Sequence, residues 1–224
     1  MAEQIEVCGD EVGARGGIPV TFREYWGLVQ SDLYRIDGKT GCAPFLRELF
    51  YGEGFAYCFW MRTSAFLKRR QFARFIGYPM ARLVLWHYKF KLGISIPHST
   101  EIGPGFYIGH FGGIVVNGNV RIGRNCNLSH GVTIGQANRG ARKGVPVIGD
   151  NVFIGPGAMI FGSVRIGNNA AIGANSVVTR DVEDNAVVAC PPAAVVSFES
   201  SMGYVNRTDY MVAELPEEVR QRLS

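Results

Sequence analysis

The chain has 224 residues, of which 47% are hydrophobic and 19% are charged, the composition of a globular protein that buries a core. Its net charge is only +4, and it has neither a dense Lys/Arg block nor a nucleic-acid-reading motif, so nucleic acid is not expected as a partner. The 29 glycines are about twice the usual share of about 7% and predict a repeated turn.

The cysteines indicate the compartment. They are odd in number and include no C-x-x-C pair, so neither a disulfide framework nor a metal site is expected. They are Cys8, Cys42, Cys58, Cys126 and Cys190. No signal peptide and no uncharged run of about 20 residues is found. We therefore expect a cytoplasmic protein, with a peripheral position at the inner membrane as the alternative.

The first 93 residues divide into an arm and a helical domain. Residues 1–20 have no apolar period and predict a flexible N-terminal arm. Residues 21–93 place apolar side chains three and four positions apart, which predicts a small α-helical domain. Examples are Phe72, Phe75, Ile76, Met80 and Leu83. Glycines predict breaks at Gly52–Gly54 and around Gly77–Pro79.

Basic and aromatic residues are mixed in the second half of this domain. The basic ones are Arg62, Lys68, Arg69, Arg70, Arg74, Arg82, Lys89 and Lys91, and the aromatic ones are Phe59, Trp60, Phe66, Trp86 and Tyr88. The mixture fits a domain that rests on an anionic bilayer, or a bundle that packs its aromatic rings inward and keeps a solvated basic face. The bundle is the preferred interpretation.

From Ile102 onward the sequence has a six-residue period of aliphatic residues, often followed by glycine. The period runs through Ile102, Ile108 and Ile114, slips by two residues to Ile122, Leu128 and Ile134, and resumes at Ile148, Ile154, Ile160, Ile166, Ile172 and Val178. Three such strands close one triangular coil, and stacked coils bury one continuous aliphatic column. We predict a mainly β fold in which a parallel β-helix over residues 94–196 follows the helical domain.

Two segments lie outside the repeat. Residues 136–147, QANRGARKGVPV, are rich in Gly, Arg and Lys and have no aliphatic period. They predict an extruded loop, and loops on a rigid scaffold commonly carry function. Residues 197–224 are assigned to a C-terminal tail.

An ordered set of motifs adds a family resemblance. The motifs are GHFGGIVVNGN (109–119), HGVTIG (130–135), VIGDNVFIGPGAMIFGSVRIG (147–167), IGANSVVTRDV (172–182) and CPPAAVV (190–196). With them the chain resembles the hexapeptide-repeat acyltransferases, and within these the serine O-acetyltransferases and their exopolysaccharide O-acetyltransferase relatives. The resemblance implies a left-handed β-helix and a homotrimer or a dimer of trimers. It also implies an active site between subunits, where acetyl-CoA lies along the coils.

The resemblance implies that a histidine takes the proton of the acceptor hydroxyl, which attacks the thioester directly. His110 occupies the matching position, and imidazole, with a pKa of about 6.5, suits this task. His130 either assists in catalysis, binds the acceptor, or is only a surface residue at a corner of the coil. His87 and His98 match no motif and are assigned structural roles.

Binding residues are predicted in the same way. Asp37 and Asn117 are predicted to bind the acceptor. The predicted acetyl-CoA-binding residues are Arg139, Arg142, Lys143, Gly155, Ala174 and Pro192. For the three cationic residues of the loop, the alternative is a solvated surface role.

Three features depart from the serine enzymes. The aspartate that precedes their catalytic histidine is replaced by Gly109, and Asp-Arg-His-Pro in their loop is replaced by Lys143, Gly144, Val145 and Pro146. The arginine clamp for the serine carboxylate is thereby lost. The final residues QRLS lack the isoleucine that usually ends the tail with which those enzymes dock onto a sulfhydrylase.

These departures lead to the functional prediction. We expect an acetyl-CoA-dependent O-acetyltransferase that acts on a saccharide hydroxyl, in an exopolysaccharide or its precursor, with peripheral contact to membrane-linked glycans. The alternatives are a serine O-acetyltransferase of cysteine biosynthesis and a non-catalytic β-helix scaffold.

Overall fold

The computed structural model describes residues 17–210, which begin with four α-helices. They are α1 (Phe22–Asp37), α2 (Cys42–Tyr51), α3 (Glu53–Lys68) and α4 (Gly77–Leu92). The predictions for an arm up to residue 16, for Cys8 and for a tail beyond residue 210 lie outside the described residues. Within the described range, no helix combines the length and the apolar character needed to cross a bilayer.

Local capping chemistry sets the ends of α1 and α4. The Thr21 hydroxyl accepts the Glu24 N–H, and the Glu24 carboxylate accepts the Thr21 N–H in return, which starts α1 with a capping box. Gly38 and Gly93 end α1 and α4 at φ values of 75° and 62°. Glycine adopts this left-handed conformation without a Cβ clash.

The breaks between the other helices follow the sequence only in part. Gly52 separates α2 from α3, as the sequence indicates. The second break, predicted around Gly77–Pro79, exists but lies a few residues earlier, because residues 69–76 form the turns and Gly77 begins α4. Pro79 lies in the first turn of α4, where its missing N–H removes no helical hydrogen bond.

Arg62 is not part of a solvated basic face, because its side chain is only 2% exposed. Its guanidinium donates to the Asp32 carboxylate at 2.5 and 3.0 Å and to the carbonyl oxygens of Ile102 and Gly103 at 3.1 and 2.8 Å. Asp32 also accepts the Phe106 N–H at 2.8 Å. Burial raises the pKa of the Asp32 carboxyl, and the charge of Arg62 opposes that shift. The pair fastens α1 and α3 to the start of the β-helix.

The aromatic residues of the helical domain divide into a buried and an exposed group. Tyr25, Phe55 and Phe66 are buried between α1 and α3. Phe72 is 89% exposed and Trp86 is 59% exposed, so the prediction that the bundle packs its aromatic rings inward is wrong after Lys68. The reason is that α4 buries a different stripe, which contains Ala81, Leu85 and Leu92.

Fifteen short strands follow the helices in the described part of the chain. They are β1 (Ile94–Ser95), β2 (Glu101–Ile102), β3 (Tyr107–Ile108), β4 (Ile114–Val116), β5 (Arg121–Ile122), β6 (Asn127–Leu128), β7 (Thr133–Gly135), β8 (Val147–Ile148), β9 (Phe153–Ile154), β10 (Met159–Phe161), β11 (Arg165–Ile166), β12 (Ala171–Ile172), β13 (Val177–Val178), β14 (Val187–Ala189) and β15 (Ala194–Ser197). Sheet A has the order β1-β4-β7-β10-β13, sheet B the order β2-β5-β8-β11, and sheet C the order β3-β6-β9-β12-β14-β15.

Up to β13, successive strands enter sheets A, B and C in turn, so three strands make one coil. The last two strands both belong to sheet C, where β15 pairs antiparallel with β14. Strands of neighbouring coils pair in parallel, as Ile108 does with Leu128 and Leu128 with Ile154. The aliphatic residues of the six-residue period all point inward and are at most 5% exposed. The predicted left-handed parallel β-helix, preceded by helices, is confirmed.

The two-residue slip in the repeat is a turn at Asn117. The Asn117 side-chain oxygen accepts the Asn119 N–H at 3.0 Å, and its carbonyl accepts the Val120 N–H at 3.1 Å. The turn adds two residues between β4 and β5 while the inward register is kept. The Asn117 side chain, which the sequence predicts to bind the acceptor, therefore caps this turn.

A ladder of asparagines stacks at the corner between sheets B and C. Asn125, Asn151, Asn169 and Asn185 have φ values from 54° to 63°, a left-handed conformation that asparagine tolerates better than most residues. Each side-chain amide donates to the side-chain oxygen of the next, at 2.8, 3.0 and 3.2 Å. The ladder joins four consecutive coils.

Residues 198–210, called here the tail segment, run back along the outside of sheet C. The Tyr204 ring stacks on Phe153 with centroids 4.5 Å apart, and its carbonyl accepts the Asn127 side-chain amide at 2.8 Å. Farther along, the Tyr210 hydroxyl donates to Asn125 at 2.6 Å, and Arg207 donates to the carbonyl of Ile36 in α1. The tail segment thus connects the last coil with the first coils and the helices.

Candidate active site

The turns that lead from sheet C to sheet A stack both candidate catalytic histidines on one edge of the β-helix. In sheet C the inward aliphatic residues of successive coils pair with one another. The residues two positions after them therefore also lie one above another, in a column along the edge. This column, called here the histidine corner, consists of His110, His130, Pro156, Ala174 and Cys190. With about 4.8 Å between coils it is about 19 Å long.

The two imidazole rings lie side by side and are open to solvent. Their centroids are 6.0 Å apart and their planes meet at 69°. Hydrogen bonds between coils hold the backbone around the rings. The Gly109 N–H donates to the Leu128 carbonyl oxygen at 3.2 Å, and the Gly157 N–H donates to the His130 carbonyl oxygen at 2.9 Å. Among residues 17–210 no side chain hydrogen-bonds to either ring, so the aspartate missing at Gly109 has no replacement within the described chain.

A cavity of about 170 Å³ opens beside His110, between the helices and the first coil. Residues 106–111 form its β-helix wall, and residues of α1, α2 and α3 form the other. Three carboxylates line this cavity, those of Asp32, Glu48 and Glu53. The candidate general base and a group of acids therefore share one opening.

The three carboxylates differ in their availability. Asp32 is bound by Arg62, and Glu48 accepts from Arg47 at 2.8 Å. Glu53, the first residue of α3, is exposed and has no ion-pair or hydrogen-bond partner among residues 17–210. Glu53 is therefore the carboxylate of the cavity that remains available to a cationic ligand.

Glu48 and Glu53 were missed by the sequence analysis, and Asp37, which was predicted, is not part of the cavity wall. Asp37 accepts from Arg47 at 2.6 Å, and this hydrogen bond lowers its pKa. The predicted helix break at Gly52 could have indicated Glu48 and Glu53, because a break there brings the end of α2 and the start of α3 close together. Nothing in the sequence indicated that this break faces His110.

The loop between β7 and β8 lies on a different edge from the histidines. It leaves at the corner between sheets A and B, where Ala137 and Gly144 exchange two backbone hydrogen bonds at 2.9 and 3.0 Å. Arg142 forms an ion pair with Asp181 at 2.9 Å, whereas Arg139 and Lys143 are exposed. Asn117 lies at the same corner, so within one chain neither it nor the loop is brought together with His110.

The other predicted cofactor residues do lie along the histidine corner. Ala174 is exposed in the column itself, and Pro192 is exposed two residues beyond Cys190. Gly155 precedes Pro156 and is buried. It lies so close to the next coil that a Cβ at this position would be only 2.8 Å from the Ile172 carbonyl oxygen. The structure thus aligns Gly155, Ala174 and Pro192 with His110 and His130.

The remaining histidines and the cysteines lie elsewhere. The His98 ring contacts the Tyr78 hydroxyl and Arg82, each at 3.2 Å, and burial together with the charge of Arg82 lowers its pKa to about 4. The four cysteines between residues 17 and 210 are free thiols. That range also contains no group of three or more His, Cys, Asp or Glu side chains placed to hold a metal ion.

Comparison with known proteins gives a consistent result. The family "Bacterial transferase hexapeptide (six repeats)" matches residues 146–180. A serine acetyltransferase from Bacillus subtilis (strain 168) is 35% identical over 199 residues, which are 88% of this chain and 88% of the relative.

Solved structures agree with the sequence match. The serine acetyltransferase of Brucella abortus strain S19 in complex with coenzyme A matches with a TM-score of 0.63 at 25% identity, over 79% of this chain and 69% of its own. The serine acetyltransferase of Neisseria gonorrhoeae in complex with serine matches with a TM-score of 0.61 at 28% identity, over 79% of this chain and 70% of its own.

These relatives overturn one prediction. The prediction of a saccharide acceptor rested on Gly109 and on the altered loop at Lys143, and it is wrong, because the relatives in sequence and in structure are serine acetyltransferases. The alternative interpretation is the one that the relatives favour. The chain belongs to the serine acetyltransferase family of hexapeptide-repeat transferases.

Proposed function

We propose that this protein is a serine O-acetyltransferase that moves the acetyl group of acetyl-CoA to the hydroxyl of L-serine. The observation that carries the proposal is the position of His110 beside the cavity that Glu48 and Glu53 line. A carboxylate without an internal partner, such as Glu53, suits the ammonium group of an amino acid. An uncharged sugar offers no such group.

In this proposal His110 acts as the general base. It accepts the proton of the serine hydroxyl as the hydroxyl oxygen attacks the thioester carbonyl carbon, so the C–O bond forms while the imidazole becomes cationic. In this proposal, stabilisation of the oxyanion is assigned to backbone N–H groups of the glycine-rich turn at Gly112–Gly113. The intermediate then collapses, the C–S bond breaks, and the imidazolium returns its proton to the leaving thiolate.

The acetyl-CoA chain is assigned to the histidine corner. Ala174 and Pro192 are small or apolar and exposed, and with buried Gly155 they continue the edge on which His110 and His130 lie. An extended pantetheine arm along this edge places its thioester next to the histidines. His130, one coil from His110, is proposed to contact the acceptor or to assist the base.

We propose a homotrimer because the loop and the histidines lie on different edges of one chain. Exposed Arg139 and Lys143 reach a histidine corner only if they belong to a neighbouring subunit. There they would supply positive charge for the CoA phosphates and for the serine carboxylate, whose arginine clamp is absent at Gly144. Arg142 is held by Asp181 and is assigned a role in fixing the loop.

Other sequence predictions stay predictions. Asp37 and Asn117 contact Arg47 and a local turn respectively, and neither arrangement adds support for acceptor binding. The division of the chain at residue 93 and a cytoplasmic location are likewise retained as predictions.

Thiol release from acetyl-CoA tests the proposed function. The purified protein should release CoA with L-serine, and N-acetyl-L-serine, which lacks the ammonium group, should be a much poorer acceptor. His110→Ala should lower kcat by about 100-fold to 10,000-fold, as expected for loss of a general base. His87→Ala, which removes an exposed histidine of α4, is the matched control and should leave the rate unchanged.

Two outcomes would contradict the proposal. Turnover with L-serine that survives in His110→Ala would exclude His110 as the base. Acetyl-CoA binding without turnover on L-serine would favour the β-helix scaffold instead.

A further inference from the structure

The outer face of α4 is apolar although no part of the described chain covers it. Met80, Leu83, Trp86 and Phe90 are 58%, 59%, 59% and 66% exposed. At 3.6 residues per turn they lie opposite the buried stripe of α4, which contains Ala81, Leu85 and Leu92. The helix is therefore apolar on two opposite sides, of which only one has a partner within the chain.

The turns before α4 continue this outer face. Phe72, Phe75 and Ile76 are 89%, 69% and 77% exposed. Together with Met80, Leu83, Trp86 and Phe90 they form what is called here the apolar docking surface. Single exposed apolar residues are ordinary, but a contiguous group of seven large ones marks an interaction site.

Cationic residues flank the surface. On the helix, Arg82 and Lys89 fall seven residues apart on one flank, and Lys91 falls on the other. Two cationic groups lie next to exposed aromatic rings of the surface. The Arg74 guanidinium is 4.9 Å from the centroid of the Phe75 ring, and the Lys89 ammonium is 5.8 Å from the centroid of the Phe90 ring. The sequence has no Asp or Glu between Glu53 and Glu101, so no acid offsets these charges locally.

We propose that the apolar docking surface binds a bilayer that contains anionic lipids, with α4 lying parallel to the membrane plane. Apolar side chains opposite the protein core, with Lys and Arg on both flanks, fit the boundary between acyl chains and acidic headgroups. The 16 residues of α4 extend about 24 Å, too short to cross a bilayer but suited to lying on it.

Charge distinguishes this occupant from a second copy of the chain. A two-fold contact between copies through this surface would bring Arg82 and Lys89 close to the cationic residues of the other copy, and residues 54–100 contribute no acid to offset them. Anionic headgroups neutralise the same residues, and the attraction weakens as salt screens it. The proposal does not depend on the acceptor of the acetyl group.

Vesicle co-sedimentation of the full-length protein tests this inference. Binding to vesicles of phosphatidylcholine mixed with phosphatidylglycerol should exceed binding to phosphatidylcholine alone by about tenfold or more and should weaken with added salt. Trp86→Ser combined with Phe90→Ser should abolish binding. Arg82→Gln combined with Lys89→Gln should remove the preference for phosphatidylglycerol.

The matched control is Val196→Ser combined with Phe198→Ser. Both of these side chains are 59% exposed and lie on β15 and the tail segment, so this variant loses comparable apolar surface and should still bind. The circular dichroism spectrum and the melting temperature should be unchanged in all three variants, which shows that they are folded.

Three results would overturn the inference. One is wild-type protein that does not distinguish the two kinds of vesicle. Another is a control variant that loses binding as strongly as Trp86→Ser/Phe90→Ser. The third is a change of sedimentation coefficient in Trp86→Ser/Phe90→Ser without lipid, which would show that the surface is an interface between copies of this chain.

Discussion

Replacing Arg62 with methionine should destabilise the protein far more than the loss of an ordinary ion pair. The substitution leaves the buried Asp32 carboxylate without its cation and removes the donors to the Ile102 and Gly103 carbonyl oxygens. Breaking a buried pair by removing one partner costs about 3–5 kcal/mol. The same change at Arg121, whose ion pair with Glu101 is 61% and 42% exposed, should cost less than about 1 kcal/mol.

The cost of Arg62→Met should also depend on pH. Without Arg62, the Phe106 N–H and the charge of Arg35 still favour the Asp32 carboxylate, but burial is the largest effect and keeps the pKa of the carboxyl above the unfolded value. A group with a raised folded pKa contributes its stability at low pH and loses it as pH rises through the folded pKa. The deficit relative to wild type should therefore shrink as pH falls from about 8 to about 5.

Urea titration of wild type, Arg62→Met and Arg121→Met at both pH values measures these effects. Adding Asp32→Leu to Arg62→Met should restore part of the loss, because the unpaired charge is then gone. If Arg62→Met and Arg121→Met proved equally mild, or if the deficit of Arg62→Met were the same at both pH values, the reasoning about the buried charge would be refuted.

Two further predictions concern the cavity and the asparagine ladder. Glu53→Gln should raise the KM for L-serine by about 10-fold to 100-fold with a smaller effect on kcat, the range expected for loss of a charged hydrogen bond, whereas Glu199→Gln on the tail segment should change neither constant. Asn151→Ala should lower the free energy of unfolding by about 1–3 kcal/mol. Alanine tolerates the left-handed φ of 54° less well than asparagine does, and the substitution also removes two side-chain hydrogen bonds. Asn151→Gly loses the same hydrogen bonds without the strain, so a melting temperature no higher than that of Asn151→Ala would argue against the role of the φ angle.

The β-helix was predictable because each coil repeats the same physical requirement. An inward aliphatic residue such as Ile154 and a small residue at the corner such as Gly155 recur every six positions, so the period alone indicates the stacked coils. The family motif also places His110 and His130 two residues after Ile108 and Leu128, and parallel pairing aligns them.

The helical domain was less predictable because a helical period does not say which side is buried. Phe72 and Met80 have the spacing of a core, yet the core of α4 is the stripe with Leu85. Arg62 has the composition of a surface residue and is buried only because Asp32 and two carbonyl groups of the first coil surround it. Such placements depend on how helices dock, which local spacing does not encode.

The acceptor was mispredicted for a related reason. The change at Gly109 removes the aspartate that orients the catalytic histidine in the family, and the change at Gly144 removes the arginine that holds the serine carboxylate. The sequence does not show that Glu53 from another part of the chain lines the same cavity. A missing residue in a motif was taken as a missing function. Whether a site is complete depends on which segments converge there.

The tail segment has a consequence for folding. In a stack of coils each unit contacts only its neighbours, so such proteins can unravel from one end, one repeat at a time. The contacts of Tyr204 with Phe153 and of Tyr210 with Asn125 connect residues far apart in sequence, and closing these long loops costs chain entropy that only an assembled stack repays. The coils should therefore lose their structure together in one cooperative transition, and during synthesis the last contacts can form only after every coil has been made.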